Sequence, residues 1–141
     1  MLRKERQDTI QAWGFNCSCH TCSLSKGDSE ISDERVRLIK QYRKELRNWS
    51  TYSLATPSMA EELISLYEAE GLFVLAGSPY RLAAQAYSAV GDRIGAMKYA
   101  IRAIDHGLLA WTTMGRTMKD TIHILMDPEH HWTWRKRVTE Q

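Results

Sequence analysis

The chain has 141 residues, enough for one ordinary core or for one domain with a small attached module. Apolar residues make up 43% and charged residues 26%, a globular rather than a disordered composition, and a formal charge of +2 is too small to argue for nucleic acid. Lys/Arg against Asp/Glu run ten to seven over residues 1–50, four to six over 51–110 and five to four over 111–141, so no segment forms a basic stripe that would steer phosphate.

The opening, MLRKERQDTI, is charged and lacks the apolar core of a secretory signal, and nothing in the chain approaches the roughly 18 apolar residues of a membrane span. Residues 2–12 predict a short helix without a cap signal, apolar only at Leu2, Ile10 and Ala12. WGFNCSCHTCS follows at 13–23 and holds all three cysteines of the chain. Three clustered thiols are an odd number and not a secreted disulfide framework, which places the protein inside the cell, in nucleus or cytoplasm. SLSKGDSEIS, at 23–32, reads as a polar loop.

Ser32 then reads as an N-cap, with Asp33 and Glu34 in the first turn complementing the helix dipole. Val36, Ile39, Tyr42, Leu46 and Trp49 recur at spacings of three and four, one apolar stripe. After the turn-rich STYSLATPS (50–58), Pro57 or Ser58 opens a second helix carrying Met59, Leu63, Leu66 and Tyr67, which is expected to stop at Gly77 and Pro79. The segment from 80 to 106 is the most regular: Ala84, Tyr87, Gly91, Ala96, Ala100 and Ala103 place small and aromatic residues at helical spacing around a turn at VGDR. It resembles one tetratricopeptide repeat, with Tyr80 where that family usually has Trp, although no 34-residue period runs through the chain. A last helix carries Trp111, Met114, Met118, Ile122 and Leu125 and ends before Pro128, its methionines reading as core filler. In the terminal EHHWTWRKR, the adjacent histidines suit surface exposure, Trp132 and Trp134 are expected to fold back as a lid, and Arg135, Lys136 and Arg137 read as a solvated tail. Fold class is therefore mainly α from about residue 30 onward.

The C-x-C-x-x-C pattern of Cys17, Cys19 and Cys22 puts three soft ligands on a sharply turning backbone, a geometry that suits zinc thiolate coordination. Three reduced structural cysteines, or a Cys19–Cys22 redox dithiol, are the other readings, and the dithiol lacks a surrounding strand–helix pattern. His20, His106, His123, His130 and His131 are each candidates for a fourth ligand and each better read as surface or core histidines. No Ser/His/Asp or paired-carboxylate constellation stands out, and Glu68 and Glu70, two apart, do not share a helix face.

The longer string RQDTIQAWGFNCSCHTCS resembles the post-SET segment of SET-domain lysine methyltransferases, in particular the SMYD-like group, whose aromatic-Gly-Phe-x-Cys-x-Cys-x-x-Cys signature is carried here by Trp13, Gly14, Phe15, Cys17, Cys19 and Cys22. The resemblance is specific over residues 6–23 and architectural beyond, since these proteins carry a helical, tetratricopeptide-like C-terminal domain. It implies that residues 1–12 end a SET region, 13–28 form the post-SET cysteine segment and 29–141 the helical domain. It further implies one zinc on Cys17, Cys19 and Cys22 with a fourth cysteine from the SET domain. Phe15 would stack on the adenine of S-adenosylmethionine, and the helical domain would meet a protein substrate or peptide partner. The sequence has no Asn-His-x-Cys motif, Gly-x-Gly cofactor loop or catalytic-tyrosine segment, so the chain alone is expected to be inactive, with no catalytic residue of its own. The alternative is a free-standing tetratricopeptide-like adaptor that binds a peptide, its zinc site vestigial or completed by the partner.

Overall fold

The computed structural model describes residues 2–72, 77–110 and 115–138. Among them are six α-helices and no strand: α1 Arg3–Gln11, α2 Lys26–Leu46, α3 Pro57–Ala69, α4 Gly77–Ala89, α5 Arg93–Ala110 and α6 Arg116–Met126, followed by a single 3-10 turn, Pro128–His130. No helix among the described residues is long and apolar enough to cross a membrane.

The centre is α4, which packs against α2, α3, α5 and α6. Leu82, Ala83, Ala84 and Ala86 are each at most 1% exposed, so this helix is enclosed almost all round. Alanine at these positions keeps the facing helices close, and Ala60, Ala96 and Ala100, all fully buried, do the same from α3 and α5. Leu46, Leu63 and Ile124 fill the larger gaps, each contributing about 2 kcal/mol by leaving water. The turn between α4 and α5 requires Gly91 at φ +77°, and Asp92 Oδ1 then accepts the Gly95 N–H at 2.9 Å to start α5. The α4–α5 hairpin expected from the alanine pattern is thus present.

Three boundaries differ from the sequence expectation. Helix α2 begins two turns before Ser32, because Ser25 caps it: its Oγ accepts the Asp28 N–H at 3.2 Å and donates to the Asp28 carboxylate at 2.7 Å. Ser32 is instead a buried helical residue whose Oγ donates to Glu70 Oε2 at 2.7 Å, while Arg35 reaches Glu70 Oε1 at 3.2 Å. Spacing along one helix could not show that Glu70 serves a different helix. Pro79 opens a helix rather than ending one, for it lies in the first turn of α4, where a missing N–H costs nothing, while α3 already ends at Ala69. Trp49 lies beyond the end of α2. Trp111 and Met114 fall outside the described residues; Met118 is half-buried, its methyl group resting on the bare Gly107 Cα side of α5.

The C-terminal segment is a strap and not a solvated tail. Arg135 and Arg137 N–H groups donate to the Ser88 and Ala89 carbonyls, both at 2.9 Å, satisfying the end of α4. The Arg137 guanidinium donates to the carbonyls of Leu46 at 2.9 Å and Asn48 at 3.0 Å and lies 3.9 Å over the Trp49 ring. Trp132 folds onto α6, its Nε1 donating to Asp120 at 3.2 Å, and meets Trp49 edge-on at 4.9 Å. His131 is buried at 3% exposure, contrary to the expected surface position, because its two ring nitrogens bridge Asp120 Oδ1 (3.0 Å) and Thr133 Oγ1 (2.7 Å). Thr133 in turn donates to Ser88 Oγ at 2.9 Å, so the chain of bonds joins strap, α6 and α4.

Candidate metal centre

The loop between α1 and α2 is shaped before any metal is considered. Glu5 reaches back to the Leu2 N–H at 2.9 Å to open α1, and Gly14 at φ +82° turns the chain after its last turn. Helix α1 buries no residue. It is tethered to the next helix by polar contacts, the Arg3 N–H donating to Asp33 Oδ1 at 2.9 Å and its guanidinium to the Leu24 carbonyl at 3.3 Å. Residues 18–23 wrap into one tight turn, with the Ser23 N–H donating to the Cys19 carbonyl at 2.9 Å and Ser23 Oγ to the Ser18 carbonyl, also at 2.9 Å.

That turn brings the thiols of Cys17, Cys19 and Cys22 together, all three sulfurs lying within 4.8 Å of one another. Three sulfurs at tetrahedral corners around zinc stand about 3.8 Å apart, given bonds of about 2.3 Å, so the cluster needs to contract by no more than about 1 Å. Cys22 is buried, Cys17 half-buried and Cys19 exposed. The backbone N–H of Cys22, followed by the Cys17 and Cys22 thiols, brings the Cys19 thiol down to about 7. Burial, with the Cys19 and Cys17 thiols, pushes Cys22 up, and a hydrogen bond from Arg6 opposes the rise. Thiols this close can hold a metal ion, and zinc-type softness matches an all-sulfur donor set.

No protein-family model, characterised protein or solved structure matches the chain.

Among the described residues no histidine or carboxylate joins the three sulfurs. His20 lies on the same turn but is exposed. His106 stacks on Tyr80 at 4.8 Å, His123 meets His131 edge-on at 5.1 Å, and His130 pairs with Asp127 at 2.8 Å. Trp13 and Phe15, flanking the thiol turn, are 81% and 59% exposed. Two large rings this open are available to stack or to be covered.

Sequence spacing missed two polar clusters. Glu61 on α3 accepts from the hydroxyls of Tyr87 (2.6 Å) and Tyr99 (2.8 Å), which holds its carboxyl below the usual range, while burial and then the bond to Glu61 push Tyr99 up to about 12. The other is the His131 chain described above, which carries an imidazole, a carboxylate and two hydroxyls, with Thr133 and Ser88 fully buried and Asp120 partly exposed. Neither cluster has a sequence signature, since its members lie on different helices.

Proposed function

We propose that the chain is the C-terminal part of a SET-domain, SMYD-like protein-lysine methyltransferase, comprising the post-SET segment and a helical, tetratricopeptide-like domain. The observation that supports this reading best is the convergence of Cys17, Cys19 and Cys22 without a local fourth donor among the described residues. A closed structural zinc site needs four ligands, so three thiolates fit a site completed by another part of the protein. In this reading Cys17, Cys19 and Cys22 hold the zinc, and the metal ties the end of the catalytic domain to the helices. The open ring of Phe15 offers a stacking face for the adenine of S-adenosylmethionine. The cofactor supplies the methyl group; the residues of this chain hold and orient, and the helices meet the protein substrate.

The transcript upstream of Met1 tests the reading. An open frame with a Gly-x-Gly loop and an Asn-His-x-Cys motif is expected, and an in-frame stop close upstream would sink it. Zinc affinity of the chain alone should be weak and should rise by orders of magnitude when the preceding segment is supplied. Tight stoichiometric zinc in the chain alone, lost on His20→Ala, would mean a local fourth ligand instead.

A second reading, a peptide-binding adaptor, draws support from an apolar hollow of about 210 Å3 between α3, α4 and α5. Ile64, Leu72, Pro79 and Tyr80 wall it, with Glu68 and His106 also on its lining. Its size suits one apolar side chain of a partner. An upstream stop codon combined with saturable binding of a partner peptide, abolished by Ile64→Glu, would favour it.

A further inference from the structure

Helix α5 carries two apolar faces, and the fold buries one of them. Ala96, Tyr99, Ala100 and Ala103 are buried where α5 packs on α4 and α6. A second set, Ile94, Met97, Ile101 and Ile104, recurs at spacings of three, four and three. Those intervals align four apolar side chains along about 15 Å of one helix side, the pattern of a helix-pairing seam. Ile94 is 80% and Ile101 47% exposed, while Met97 and Ile104 are half-buried. Single isoleucines scattered on a surface mean little, but four in line leave a continuous apolar stripe in contact with water.

The charges beside the stripe select its occupant. Lys98 and Asp105 follow Met97 and Ile104 directly, seven residues apart on one flank, and both are exposed. Neither makes an ion pair with a described residue; Lys98 Nζ lies 5.0 Å over the Tyr99 ring, a weak hold at an exposed site. The other two cations of this stretch are turned elsewhere, Arg93 to Glu129 at 3.7 Å and Arg102 over the Tyr80 ring at 5.9 Å. Laid against a copy of itself in the opposite direction, the helix sets Ile94 on Ile104 and Met97 on Ile101. In that register Lys98 stands opposite Asp105, and the twofold axis repeats the pair, so the flank is complementary to itself. Parallel pairing would bring Lys98 to Arg93 instead, like charge against like.

We propose that the outer face of α5 is an interface for a second copy of this chain, the two helices pairing antiparallel through Ile94, Met97, Ile101 and Ile104 with Lys98 and Asp105 bonded across the twofold axis. One helix face per copy falls short of the roughly 1,200–2,000 Å2 of a standard interface, so the dimer is weak and reversible. It is independent of the thiol cluster and of the methyltransferase and adaptor readings.

The test is sedimentation equilibrium of the full chain from about 10 μM to about 1 mM, with reductant and chelator present so that the thiols cannot link copies. A monomer–dimer equilibrium is expected. Ile94→Glu, at a position already in water in the single chain, should raise the Kd by about tenfold or more with helical circular dichroism unchanged. Lys98→Glu and Asp105→Lys should each weaken self-association by about fivefold, because each sets like charges opposite on both sides of the axis. An equal mixture of those two variants should associate about as tightly as the parent chain, since each supplies the charge that the other lacks. Three results overturn the proposal: a chain monomeric throughout, which leaves the stripe to an upstream segment or another protein; a dimer untouched by Ile94→Glu; and a mixture no tighter than its two components.

Discussion

Gly95→Ala sets helix propensity against packing, and the structure decides the sign. Gly95 lies in the first turn of α5, where alanine should stabilise by up to about 1 kcal/mol. A Cβ at this position, however, would overlap Cδ1 of Tyr87 and lie 2.7 Å from its Cγ and 2.9 Å from its Cε1. These are atoms near the root of a rigid ring, which cannot yield by a small rotation. The ring is held by stacking on Tyr99 at 5.4 Å and by the hydroxyl's 2.6 Å bond to Glu61. Displacing it introduces overpacking of about 1–3 kcal/mol and strains a hydrogen bond that, with Glu61 exposed, contributes about 1 kcal/mol. The net expectation is a loss of about 1–3 kcal/mol, read from the urea midpoint at unchanged m-value. In a Tyr87→Ala background the obstacle is gone, and the same change should become neutral or stabilising by up to about 1 kcal/mol. A Gly95→Ala variant more stable than its parent, or an equal penalty in both backgrounds, would refute the close approach of α4 and α5 at this point.

Three further outcomes are expected. The Glu61 carboxyl is held low by the Tyr87 and Tyr99 hydroxyls, so its contribution is present above the ordinary carboxylate pKa and lost as pH falls through the lowered folded value; Glu61→Gln should flatten that part of the acid stability profile. On the alkaline side, raised Tyr99 contributes stability below its ordinary pKa that disappears as pH rises through about 12, and Tyr99→Phe should remove this dependence. His131→Leu leaves buried Thr133 and the Asp120 carboxylate each short of a partner and should cost about 2–4 kcal/mol in denaturant unfolding; a loss well under 1 kcal/mol would contradict the bonded strap. Cys17→Ser, Cys19→Ser and Cys22→Ser should each reduce zinc affinity in a chelator competition while leaving the helical unfolding midpoint unchanged, because the main core begins at Ile39 and draws nothing from the thiol loop.

The helical class, the α4–α5 hairpin and the thiol cluster were legible in the chain because each rests on local periodicity or spacing. Alanines at 84, 96 and 100 recur as a close-packed helix pair demands, and three cysteines in one short turn have few ways to avoid meeting. Helix ends were less legible. Ser25 and Ser32 both offer a capping hydroxyl, and only packing shows that Ser32 is covered and bonded to Glu70 from another helix. Pro79 reads as a stop in the sequence, yet proline is tolerated in a first turn, and it lies in the first turn of α4.

What tertiary structure alone decided are the groupings across helices. Arg137 looks like tail charge in the sequence, yet it caps α2 across 91 residues of chain through the Leu46 carbonyl. His131 reads as one of two surface imidazoles until Asp120 and Thr133 close on it. Periodicity encodes which face a helix buries, because that depends on neighbours three and four residues away. It carries no record of which distant polar group will stand opposite, because that depends on how the buried faces dock.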